Sequence, residues 1–100
     1  MLNKEQLMYL NAGVTEALSL SNRGITSERQ REIRIGVIGL LVNRKIESTK
    51  ELEYREFREL RDKIYPNWSM GDWGISPEFK ETVRELASLN FEVDYEENGS

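Results

Sequence analysis

The chain has 100 residues, 38% of them apolar and 32% charged, a net charge of −4, and neither histidine nor cysteine. That length makes one domain with a single modest core. The two missing residue types exclude Ser-His-Asp and Cys-His catalysis, ordinary zinc sites and thiol redox chemistry; carboxylates, lysine, tyrosine and backbone groups remain.

Four helical segments follow in chain order. The first is predicted from about Lys4 to Leu20, with Asn3 as N-cap and Gln6 in the reciprocal position. Leu7, Leu10, Val14, Ala17 and Leu18 recur at three- and four-residue steps and give it one apolar face. Asn22-Arg23-Gly24 supplies a glycine stop. The second segment begins after Ser27, with Gln30 as its capping-box partner, and runs through Ile33, Val37, Leu40 and Leu41 to about Ile46. Residues 33–42 are rich in β-branched side chains, so a strand competes there; segment length and charged flanks favour a buried helix.

The third segment starts at Ser48 or Thr49 with Glu51 completing the box, and Pro66 ends it. Tyr54, Phe57, Leu60 and Ile64 form its apolar stripe. Glu51/Arg55, Arg55/Glu59, Arg58/Asp62 and Glu59/Lys63 are spaced for ion pairs along the exposed side. The fourth has the clearest start, Ser76-Pro77-Glu78, and turns Phe79, Val83, Leu86 and Ala87 inward. The fold expected is therefore all-α, a compact bundle of about four helices, with a small α+β domain as the alternative. Residues 1–91 are expected to form the domain and 92–100 an acidic, flexible tail; across that boundary Phe91, Val93 and Tyr95 alternate as in a short strand or a segment laid against the helices.

No targeting or membrane segment is read. The longest apolar run, Ile35–Val42, falls far short of the roughly 20 residues that span a bilayer. Residues 1–5 lack the layout of a secretory signal, so a cytoplasmic setting is expected.

Two features suggest binding. The connection 65–75 holds both tryptophans, Trp68 and Trp73, with Tyr65, Met70, Asp72 and Ile75 around them. Loops are normally polar, whereas tryptophan, tyrosine and methionine concentrate in interfaces. The plainer reading is a lid whose indoles close a small core, and the two agree if one indole points inward and the other outward. Charge adds a direction. Residues 1–50 carry eight Lys/Arg against five Asp/Glu, and residues 51–100 six against thirteen, with Glu92, Asp94, Glu96 and Glu97 at the end. These acids would steer the protein to a basic surface while Trp68, Met70 and Trp73 fill a pocket.

The second feature is Arg23, Arg29, Arg31 and Arg34 around the turn at Gly24, which resembles the outline of a helix-turn-helix. The resemblance is partial. Gln30 stands where that motif wants a buried apolar residue, Glu28 and Glu32 dilute the field, and the domain is acidic. Gly36 and Gly39 inside the second helix imply close packing, within the molecule or in a homodimer; they lie in no phosphate-loop pattern. The carboxylate pairs Glu28/Glu32 and Glu81/Glu85 have no di-iron or EF-hand spacing and read as solvated faces.

The expected function is a non-enzymatic interaction module, a regulator or inhibitor of a larger protein such as one that handles nucleic acid, with no metal and no cofactor. The alternative is a DNA-binding regulator using the four arginines. In composition the chain is similar to small accessory proteins of bacteria and their phages, a likeness that no motif carries.

Overall fold

Asn3 opens the first helix as its sequence dictates. Its side chain accepts the Gln6 N–H at 2.8 Å, while the Gln6 side chain accepts the Asn3 N–H at 2.9 Å, so two otherwise orphaned donors are satisfied. The computed structural model describes residues 2–95, which form four helices: α1 (Lys4–Leu18), α2 (Ser27–Leu41), α3 (Tyr54–Ile64) and α4 (Pro77–Phe91). There is no strand among the described residues, so the α+β alternative falls away and 33–41 belong to a helix.

The boundaries shift where two capping residues compete or where a turn must return a side chain to the core. α1 ends at Leu18, before the glycine stop, because Ser19 takes the left-handed conformation at φ 52°. That early exit lets a short 3₁₀ turn, Leu20–Asn22, deliver Leu20 to full burial. α2 is capped by Thr26, whose hydroxyl accepts the Arg29 N–H at 3.2 Å. Gln30 closes no box; its amide donates to the Ile25 carbonyl at 2.8 Å. The helix stops at Leu41, short of the expected Ile46. Asn43 turns left-handed at φ 61° and the Arg44 N–H reaches back to the Gly39 carbonyl at 3.0 Å. Ile46 then drops into the core from the connection.

Ser48 caps only the single turn Thr49–Glu51. α3 begins later, at Tyr54, where the Glu53 N–H donates to the Glu56 carboxylate at 2.9 Å. Glu51 instead accepts the Glu47 N–H at 3.0 Å. None of the four i,i+4 pairs read along this segment closes into an ion pair among the described residues; Glu56 pairs outside the helix, with Arg44. α4 starts as expected, the Ser76 hydroxyl accepting the Phe79 N–H, and Glu92 ends it at φ 59°.

α1 touches all three other helices, and its Leu10, Val14, Ala17 and Leu18 meet Ile33, Val37 and Ile38 of α2, Phe57, Leu60 and Ile64 of α3, and Phe79, Val83 and Ala87 of α4. Full burial of each leucine, isoleucine or valine contributes about 1.5–3 kcal/mol. The two glycines of α2 find their reason inside the molecule. A β-carbon on Gly36 would run into the Phe91 ring, and one on Gly39 would stand 2.9 Å from the Arg44 carbonyl oxygen.

Of the segment 92–100, residues 92–95 lie against the helices. Val93 is buried, and the Tyr95 hydroxyl donates to the Leu18 carbonyl at the end of α1. The Arg23 and Arg84 guanidinium groups approach the Tyr95 ring to 4.2 and 5.2 Å. Glu96 and Glu97 lie outside the described residues. No helix among the described residues is long and apolar enough to cross a membrane.

Candidate functional site

The connection from α3 to α4 is held by its own backbone. The Gly71 N–H donates to the Trp68 carbonyl at 3.0 Å, the Asp72 N–H to the Asn67 carbonyl at 3.2 Å, and the Ser76 N–H to the Ile64 carbonyl at 2.8 Å. Gly71 adopts φ 80°, the left-handed region that favours glycine, and an Asp72 carboxylate oxygen accepts the Gly74 N–H at 3.0 Å.

On this frame the two indoles part. Trp68 is half-buried against the core, its Nε1–H donating to Asp62 at 2.9 Å and its ring lying 3.8 Å beneath the Arg61 guanidinium. Trp73 remains 45% exposed. Its ring stacks on Tyr9 of α1, centroids 5.2 Å apart and planes 21° apart, and meets the edge of Tyr65 at 5.1 Å. Tyr65 is buried, and its hydroxyl donates to the Tyr9 carbonyl at 3.0 Å. Burial pushes the pKa of that hydroxyl up, and the Glu16 carboxylate pushes it further. Met70 of the same loop is 76% exposed.

Tyr9, itself 45% exposed, was not among the site residues expected from sequence. The signal was present: Tyr9 lies off the Leu7/Leu10/Val14 stripe, so a large aromatic had to face outward. Asp72 adjoins Trp73 in the chain, Glu5 stands one helical turn before Tyr9, and Asp62, which holds Trp68, also pairs with Arg61 at 3.2 Å.

The expected union of loop and acidic tail does not form among the described residues. The loop precedes α4 and Glu92 and Asp94 follow it, and fifteen helical residues span about 22 Å. Glu92 and Asp94 lie instead beside Arg23, in the α1–α2 connection, and Arg29, in the first turn of α2. The Arg23 guanidinium donates to the Asp94 carbonyl, and Arg29 donates to the Phe91 carbonyl at 3.1 Å while pairing with Glu32 at 3.0 Å.

The four arginines do not converge on one face either. Arg23 and Arg29 fasten the end of α4, Arg34 reaches Thr15 of α1 at 3.2 Å, and Arg31 is exposed. Ile33 is buried, as a helix-turn-helix would need, but Gln30 is spent on the turn. Among the described residues no cluster of three or more carboxylates is placed to hold a metal ion. An apolar groove of about 680 Å³ lies between α2 and Phe91, walled by Ile35, Leu40 and Ile46.

Set against known proteins, the chain matches no family model, no curated protein and no solved structure.

Proposed function

We propose that this protein is a non-enzymatic binding module, a small regulator or inhibitor of a larger protein, and that Tyr9 and Trp73 make the central contact. The single observation that carries this reading is the stack of those two half-exposed rings. Tryptophan and tyrosine dominate binding hot spots because they bury large area at low entropic cost. Here both rings are already positioned by Tyr65 and Trp68, so little ordering remains to oppose association.

Asp72 beside Trp73 and Glu5 one turn from Tyr9, with the net charge of −4, favour a partner that presents a basic surface; the Asp62 charge is already matched by Arg61. A protein that handles nucleic acid offers such a surface. The cytoplasmic setting rests on the pattern of residues 1–5, and the bacterial or phage accessory role on composition alone.

The test is quantitative binding to the partner captured from cells of the source, using Trp73→Ala, Tyr9→Ala and Leu89→Ser. Leu89 is 75% exposed near the far end of α4 and serves as the control. Each aromatic variant, folded by circular dichroism, should bind about tenfold more weakly or worse, and the control normally. Full binding by a folded Trp73→Ala protein would overturn the proposal. Retention of duplex DNA on the wild type, lost in Arg31→Ala, would replace it with the nucleic-acid reading.

A further inference from the structure

The segment that follows α4 sits in a groove whose other parts are held without it. Arg84 of α4 is fixed from α1, its Nε donating to the Ala17 carbonyl at 2.9 Å and its Nη2 to the Ser19 hydroxyl at 2.8 Å. Arg29 is paired with Glu32, and Ile33 belongs to the core. Residues 92–95 lie on this frame much as a bound peptide would. Val93 is buried and shares the groove with Arg23, Ile25, Arg29 and Ile33, and its carbonyl accepts the Ser88 hydroxyl at 2.9 Å. The Asp94 carbonyl accepts from Arg23. Arg23 and Arg84 both approach the Tyr95 ring, whose hydroxyl donates to Leu18, one of the carbonyls that the end of α1 leaves without an intrahelical donor. The segment carries the acids Glu92 and Asp94 and the groove carries three arginines, so the two match in charge as well as in shape.

A single residue folds the segment back onto its own molecule. Glu92 stands at φ 59° and ψ 34°, the left-handed region that a glutamate seldom adopts. Extending Glu92 relieves that conformation and carries the segment away from its own groove. The same set of groups is then offered by the groove of a second copy, with every contact of Val93, Asp94 and Tyr95 reproduced there. From Phe91 to Tyr95 the extended chain reaches about 13 Å, so two such copies meet at the ends of their α4 helices. Asn90 and Phe91 at that end border the apolar groove walled by Ile35, Leu40 and Ile46, and Leu40 is 45% exposed. The meeting covers apolar surface that the single molecule leaves in water.

We propose that residues 92–95 exchange between two copies of this chain, each segment filling the groove of the other beside Arg23 and Arg84, with Glu92 as the hinge. The exchange is reciprocal and two-fold, so it closes at a dimer. A short tether holds each segment at an effective concentration in the millimolar range for its own groove, and the dimer therefore gathers at about 1 mM protein.

The experiment measures the mass of the intact protein by sedimentation up to about 1 mM, with isotope-filtered NMR on a mixture of labelled and unlabelled chains. The expected result is a mass rising toward twice 11.7 kDa, with contacts from the Tyr95 ring of one chain to Arg23 of the other. Glu92→Pro, which cannot turn left-handed, should bring the dimer in at a concentration at least about tenfold lower. Glu92→Gly, which turns left-handed freely, should move it to higher concentration. Should the proline variant fail to fold, the glycine variant decides against wild type. A monomer throughout, a dimer lacking the Tyr95–Arg23 contacts between chains, or a glycine variant that dimerises as readily as wild type would overturn the proposal.

Discussion

Arg44 grips Glu56 with two parallel bonds, Nε to Oε2 and Nη2 to Oε1, each 2.9 Å long. A third bond, from Nη2 to the Glu51 carbonyl at 2.9 Å, ties the same guanidinium to the turn before α3. This one side chain therefore links the end of α2 to the start of α3, with Glu56 also accepting the Glu53 N–H.

Acid should loosen this link over a defined window. The hydrogen bonds from Arg44, then that from Glu53, hold the Glu56 carboxyl at about 2 instead of its ordinary 4.5. Its folded value is depressed, so the unfolded chain takes up the proton first. The contribution is complete above pH 4.5 and disappears as the pH falls to about 2. Urea midpoints measured across that range should fall less steeply for Glu56→Gln than for wild type. Parallel slopes would show that the pair carries no acid sensitivity.

Gly36→Ala should destabilise the protein although alanine is the better helix former. Helix propensity favours alanine by about 1 kcal/mol, but the new methyl group strikes the Phe91 ring. Overpacking of that kind costs about 1–3 kcal/mol. We expect a net loss in chemical denaturation, largely restored by Phe91→Leu in the same chain. A stabilised Gly36→Ala single variant would mean that the ring moves aside freely.

The two indoles should report different surroundings. With Trp68 replaced by phenylalanine, the remaining Trp73 should emit at longer wavelength and be readily quenched by acrylamide. With Trp73 replaced instead, Trp68 should be the better protected, through the core on one side and Arg61 on the other. Equal quenching in the two variants would contradict this arrangement.

Residues past α4 should contribute to stability. Tyr95→Phe removes the hydrogen bond to the Leu18 carbonyl and should cost about 1 kcal/mol, while keeping the ring beside Arg23 and Arg84. Ending the chain after Glu92 also removes the buried Val93 and should cost more. Thermal unfolding of the two variants tests that order.

Local chemistry was readable from sequence where one residue alone could do the work. Asn3 with Gln6, and Ser76 with Pro77, had no rivals, and both helices start where they should. Thr26 and Ser27 are both competent caps, as are Ser48 and Glu53, and only the burial of Leu52 and the seating of Ile25 decide between neighbours. The ends of α1 and α2 depend on left-handed Ser19 and Asn43, which no glycine marked. Arg44 with Glu56, and Tyr9 with Trp73, are tertiary pairs whose spacing follows no helical period. The aromatic loop was therefore visible as composition, while its partner on α1 was not.

The Tyr9–Trp73 stack belongs to no continuous stretch of chain. One ring comes from the first helix and the other from the connection before the last, whose Tyr65 holds both: its ring meets Trp73 and its hydroxyl bonds the Tyr9 carbonyl. A peptide copied from residues 65–75 would carry both indoles and still lack the surface. A partner of the proposed kind would, by reading that surface, be checking that the molecule is folded, and an unfolded or half-made copy would go unread.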